Sequence, residues 1–221
     1  MTTSDRPTSA RFMGIELELG PGALVPRQEP EILGRTAVLV LRSSGDAPTF
    51  IDVCCGCGNL ACGIAAALPS ARGFASDLTD PCVALARRNV ERLGLGSRLQ
   101  VRQGDLFASL ADLGLEGRVD AVICNPPYIS TGKLEKESAH LLEQEPREAF
   151  DGGPYGLTIH QRAIKEALPF LRAGGTLLFE MGVGQERQLK LLFARAKAYD
   201  EAELVPDAAG VPRVVMARKK T

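Results

Sequence analysis

The residues best suited to do chemistry stand together at Asn125-Pro126-Pro127-Tyr128. They follow an apolar run, VDAVIC, that reads as a buried strand. The two prolines end it, because neither can donate a ladder hydrogen bond. An amide side chain at a strand tip, stiffened by prolines and backed by an aromatic, suits one task in particular. A planar NH2 group is a poor nucleophile while its lone pair is delocalised. The Asn125 side-chain oxygen and the Pro126 carbonyl offer fixed acceptors for its two hydrogens. They aim the lone pair at an electrophilic carbon and favour the charge that develops. Pro127 stiffens the loop, and Tyr128 offers a face on which a planar group can stack.

The surrounding elements explain why such a loop would face a ligand. From Thr49 short apolar strands alternate with helices: TFIDVC, NLACGIAAAL, ARGFASD, DPCVALARRNVERLGL, RLQVRQGD, VDAVICN. This alternation predicts a parallel sheet covered on both faces, with ligands at the carboxyl ends of its strands. Upstream, FMGIELEL alternates like a strand, and Gly20-Pro21-Gly22 turns the chain toward a helix. Downstream lie a polar insertion from Ser130 to about Thr158, a helix, the strand TLLFEMG, a further helix and two short strands. The expected organisation is a disordered start over residues 1–11 and one domain over 12–221.

The other strand tips carry a second function. DVCCGCGN places Gly56 and Gly58 between strand and helix, where bare backbone admits a nucleotide-like ligand, although Gly-x-Gly alone is a weak signal. Asp77 ends the second strand, where a carboxylate can accept from both ribose hydroxyls. Asp105 and Leu106 end the third, as a polar acceptor and an apolar wall for a purine. Any one acid could instead cap a helix, a place that Asp80 before Pro81 is expected to fill; three tips agree on a nucleoside. A dinucleotide has no evident use for the fourth tip, whereas S-adenosylmethionine supplies the electrophilic methyl group that a held nitrogen needs.

Composition narrows the class. The chain has 221 residues, 45% hydrophobic and 24% charged, with a formal net charge of -1, and so lacks the basic excess common in proteins that grip nucleic-acid phosphates. No apolar run approaches the roughly 20 residues needed to cross a bilayer, and no signal-type segment opens the chain; the expected location is the cytoplasm. Of six cysteines, Cys54, Cys55, Cys57 and Cys62 crowd together. Their spacing fails the paired knuckles of a zinc site, and His140 and His160 lie far along the chain. Small buried thiols in a reducing compartment account for the cluster.

Through these and further motifs, the chain resembles the release-factor glutamine methyltransferases (PrmC/HemK type). The likeness runs from about Phe12 to Ala217 through LVPRQEPEIL, GDLF, NPPYIS, EPREAFDGGPYGL and LLFEMGVGQ. It implies a class I, Rossmann-like methyltransferase fold: a seven-stranded, mostly parallel sheet with helices on both faces, preceded by a short strand or hairpin segment. It implies S-adenosylmethionine as cofactor. Cys54, Cys55, Gly56, Cys57 and Gly58 would line its methionine end, Asp77 would hold the ribose, and Asp105 and Leu106 would sit near the adenine. Arg27 and Glu29 would brace the pocket. Asn125, Pro126, Pro127 and Tyr128 would bind the target amide, with Asn125 also touching the cofactor.

The sequence departs from the family at Cys54, where a glycine is usual, and at Pro30, where threonine is usual. The helical docking domain of bacterial members is expected to be absent. That leaves two acceptor classes: a protein glutamine, with a docking subunit replacing the domain, or a small biosynthetic molecule. An open trench would suit the first, and a cavity roofed by Gly132–Glu145 the second. A nucleic-acid base would need a basic groove that the totals do not show, and a non-catalytic relative would not need Asn125, Tyr128, Asp77 and Gly58 intact.

Overall fold

The computed structural model describes residues 8–136 and 147–221. It opens with a two-stranded antiparallel hairpin, β1 (Ser9–Phe12) and β2 (Ile15–Glu18). The alternating stretch read as one strand is therefore folded back on itself. Met13 and Gly14 turn at φ +48° and +86°, the left-handed pair of a tight hairpin turn. The boundary expected at residue 12 also moves, since β1 starts at Ser9; residues 1–7 lie outside the described residues.

After α1 (Glu31–Arg42), the chain alternates β3 (Thr49–Val53), α2 (Asn59–Ala67), β4 (Arg72–Asp77), α3 (Asp80–Arg92), β5 (Leu99–Gln103) and β6 (Val119–Cys124). Then come a short α4 (Thr131–Lys136), α5 (Thr158–Glu166), β7 (Leu171–Glu180), α6 (Glu186–Ala196), β8 (Glu203–Pro206) and β9 (Pro212–Arg218). The main sheet has seven strands in the order β5-β4-β3-β6-β7-β9-β8. The first five are parallel; β9 runs antiparallel to β7 and β8 antiparallel to β9. β7 starts earlier than TLLFEMG suggests, at Leu171, and is irregular in its pairing with β6.

Alternation along β3 shows how the core divides. Phe50 packs with α1, α2 and α3 on one face, and Ile51 and Val53 pack with α5 and α6 on the other. Strands buried on both faces read as nearly continuous apolar runs, as β6 does. The chain winds from β3 outward through β4 to β5, then returns to β6 on the other side. That reversal opens a crevice between the tips of β3 and β6, where ligands bind in such sheets.

The hairpin is stitched to this body by one buried side chain. Asn89 of α3 accepts from the Glu18 N–H at 2.7 Å and donates to the Glu18 carbonyl and the Cys57 carbonyl at 3.1 and 3.0 Å. It thus satisfies the free edge of β2 and the glycine turn after β3 with a single carboxamide.

Candidate active site

A cavity of about 290 Å³ opens at that reversal, near the lower end of the roughly 300–1,000 Å³ usual for small-molecule sites. Its wall includes Arg27, Pro30, Cys54, Cys55, Gly56, Cys57, Asp77, Asp105, Leu106, Asn125 and Pro127. Gly58, Pro126 and Tyr128 stand outside it. Gly58 takes φ +81° as the residue that opens α2, pressed against Ala86, so it shapes the turn rather than the wall.

The turn after β3 is held by the neighbouring strand. Asp77 accepts from the Gly56 N–H at 2.9 Å with one oxygen and from the Thr79 N–H at 3.1 Å with the other. Gly56 takes φ +55°, and a side chain there would meet nothing within 4 Å. Open space beside bare backbone is what a closely approaching ligand requires. Two non-glycine residues at the cavity wall share this left-handed region, Cys54 at φ +59° and Leu106 at φ +50°. Strain of this kind persists where surrounding structure over-determines it, typically at ligand sites. The Ser76 hydroxyl donates to the Leu106 carbonyl at 2.6 Å and is part of that support.

Behind the wall, Asp52 is fully buried; one oxygen accepts from the Ala61 N–H at 3.0 Å and the other has no partner among the described residues. Burial pushes its pKa up to about 8, and the nearby Asp77 charge adds to the rise. A pocket with the Asp77 carboxylate in its wall and apolar surface at Leu78 and Leu106 suits a ligand that is cationic, hydroxyl-bearing and partly flat. S-adenosylmethionine is such a ligand, and these residues fit it.

The cysteines divide sharply. Cys54 is half-buried, whereas Cys55 and Cys57 are buried, and burial pushes the Cys57 thiol up to about 12 and the Cys55 thiol upward as well. Such thiols are poor nucleophiles and poor ligands. Among the described residues no three His, Cys, Asp or Glu side chains gather as a metal set; His140 lies outside those residues.

Asp105, in the cavity wall, also carries an ion pair that its strand tip did not suggest. Its carboxylate is held by both arms of Arg162 from α5, at 3.0 and 2.9 Å. A fork-shaped guanidinium gives an exposed carboxylate two charge-assisted bonds, so Asp105 anchors α5 at the cavity rim.

The Asn125–Tyr128 loop is held by residues far apart in sequence. The half-buried Asn125 makes no hydrogen bond to another described residue, and its carboxamide is available to a ligand. Ile129 pairs in parallel with Asp151. The Ile129 N–H donates to the Phe150 carbonyl at 3.0 Å and the Gly152 N–H to the Ile129 carbonyl at 2.8 Å. The Asp-Gly-Gly-Pro-Tyr-Gly strap thus runs beside the loop, and its glycines are sterically required. A Cβ on Gly152 would lie 2.7 Å from the Pro127 carbonyl oxygen, and one on Gly156 2.3 Å from that of Tyr128. Asp151 also lines the cavity, and accepts from Thr131 Oγ1 and from Arg147 at 2.7 and 2.9 Å. Arg27 reaches the same strap, 5.9 Å above the Phe150 ring.

Sequence reasoning missed the props of this loop. Gln185 donates to the Tyr128 carbonyl at 2.9 Å and accepts from the Gly182 N–H at 2.9 Å. Glu180, at the tip of β7, accepts the Tyr128 hydroxyl at 3.4 Å. Both lie in LLFEMGVGQ, noted only as a likeness; nothing in its spacing links it to Tyr128. The roof imagined over Gly132–Glu145 is α4 as far as Lys136, and residues 137–145 lie outside the described residues.

A family model described as "Methyltransferase small domain" matches residues 36–155. The release factor glutamine methyltransferase of Moorella thermoacetica is 35% identical over 209 residues, covering 95% of this chain and 72% of the relative. That of Geobacter sulfurreducens is 34% identical over 207 residues, covering 94% and 69%. The chain belongs to the release factor glutamine methyltransferase family. A solved structure, the protein-(glutamine-N5) methyltransferase of Alicyclobacillus acidocaldarius, shares the fold with a TM-score of 0.56 at 24% identity, over 93% of this chain and all of that one. The enzyme is an S-adenosylmethionine-dependent methyltransferase, with the seven-stranded sheet and leading hairpin of its fold class. No helix among the described residues is long and apolar enough to cross a membrane.

Proposed function

We propose that this methyltransferase modifies the side-chain carboxamide nitrogen of a glutamine in a protein of the release-factor type. The observation that carries this reading is the unengaged Asn125 carboxamide at the cavity wall, beside a loop braced from three directions. S-adenosylmethionine supplies a methyl group on a positively charged sulfur. Asp77 would hold the ribose hydroxyls, the Cys54–Cys57 turn the methionine end, Leu106 the purine face, and Arg27 the rim.

Asn125 Oδ1 and the Pro126 carbonyl would accept the two amide hydrogens, fixing the nitrogen in line with the methyl group. As the methyl bond to sulfur gives way to one to nitrogen, those two dipoles would stabilise the positive charge without reorganising, and one amide proton would leave along its hydrogen bond to solvent. Tyr128 backs the plane, and Pro127, at the cavity wall, limits water around the nitrogen.

Purified enzyme with methyl-labelled cofactor should label a purified bacterial release factor, with the label on a glutamine by peptide mass analysis. The same incubation with lysate should place label in the protein fraction. Label confined to the small-molecule or nucleic-acid fraction would overturn the reading. Labelling that needs lysate added to the purified pair would point to a docking subunit.

A further inference from the structure

Glu180 is a buried carboxylate beside the Asn125–Tyr128 loop that the mechanism leaves unused. Its register places it there: Cys124 of β6 pairs with Phe179 of β7, so Asn125 and Glu180 end adjacent strands. The side chain is 4% exposed. One oxygen takes the Tyr128 hydroxyl at 3.4 Å, while the other is buried with no partner among the described residues. A stabilising design would put an apolar or amide side chain here, because an incompletely paired buried acid is costly. Costly acids of this kind concentrate at functional sites.

The rest of its surroundings are defined. Arg27 and Glu29 face it from the segment before α1, Arg213 from β9, and Tyr128 from the loop. Arg213 is itself paired with Asp207 at 3.0 Å. His160 of α5 meets Glu180 at its carbonyl, at 3.0 Å, packs its ring against Phe179, and is kept neutral by burial.

We propose that Glu180 is a positioning residue for methyl transfer: by accepting the Tyr128 hydroxyl it fixes the phenol ring, and with it the Asn125–Tyr128 loop, in the orientation that receives the acceptor amide. This rests on the reading of that loop as the acceptor clamp. Burial pushes the Tyr128 phenol up to about 12, so it stays a donor. Burial likewise pushes Glu180 up to about 7, with the Glu29 charge adding and Arg213 and Arg27 opposing. Ionised Glu180 is the stronger acceptor, so the clamp tightens as pH rises through about 7.

The test uses the whole enzyme with tyrosines labelled with 13C at Cζ, assigned by Tyr128→Phe. The Tyr128 signal should move with an inflection near pH 7, and Glu180→Gln should remove it. With release factor as acceptor, kcat should rise through the same pH in the wild type and lose that limb in Glu180→Gln. Glu180→Gln and Tyr128→Phe should each lower kcat about 10-fold, the double variant no further, with the cofactor KM unchanged. A missing inflection, one that survives in Glu180→Gln, or losses that multiply in the double variant would overturn the proposal. If the release factor is not a substrate, the function reading fails alone, and the Tyr128 signal still decides the role of Glu180.

Discussion

The two halves of the cleft are assembled differently. The half that we propose for the cofactor is made from consecutive strand tips, β3, β4 and β5, and its main internal bonds join neighbours in the sheet, as from Gly56 to Asp77. Its shape follows from the sheet register. The acceptor half rests on one strand tip and is propped by segments distant in the chain: the strap at 151–156, Gln185 and Glu180. The first half should tolerate loss of a side chain with a proportionate loss of binding. The second should fail as a unit, because several close backbone contacts set a single loop conformation.

Asn125→Ala breaks the comparison most sharply. Methyl transfer should fall about 10²–10³-fold, the scale seen when one preorganised polar group is removed, while the cofactor dissociation constant by calorimetry stays within a few-fold. Matched losses of both would place Asn125 in the cofactor half.

Gly156→Ala comes next. With φ +70° and a carbonyl oxygen 2.3 Å from the added Cβ, the strap must shift, lowering stability by about 1–3 kcal/mol and transfer at least 10-fold. Thermal melts and kcat measure the two effects. A fully active variant would show that the strap does not set the loop.

Asp77→Ala should weaken cofactor binding about 10–100-fold, as expected for hydrogen bonds to a charged group, with little change in kcat at saturating cofactor. An unchanged dissociation constant would remove Asp77 from the ribose site.

The smallest effect belongs to Cys54→Gly. Relief of a left-handed cysteine should stabilise the fold by about 1 kcal/mol, less any gain in unfolded-state freedom, and leave transfer nearly unchanged. A large loss of cofactor affinity would instead show that the Cys54 side chain contacts the ligand.

Local pattern made much of the cofactor half readable. Alternating strands and helices, Gly56, and the acids at successive tips all follow from a chain period and a sheet rule. Asp105 shows the limit of that rule: its tip was legible, but its partner Arg162 is 57 positions away. The hairpin shows another limit, since FMGIELEL keeps its apolar alternation through a turn that only the Met13 and Gly14 torsions reveal.

By itself, then, the sequence determined the parallel sheet, the crevice at its reversal and the amide, prolines and aromatic that Asn125-Pro126-Pro127-Tyr128 set at its fourth strand tip. These depend on local periodicity and on residue chemistry at strand ends. Tertiary structure alone decided what holds that loop in place. Glu180 and Gln185 lie 52 and 57 residues from Tyr128, and only the packing of β7 against β6 brings them to it.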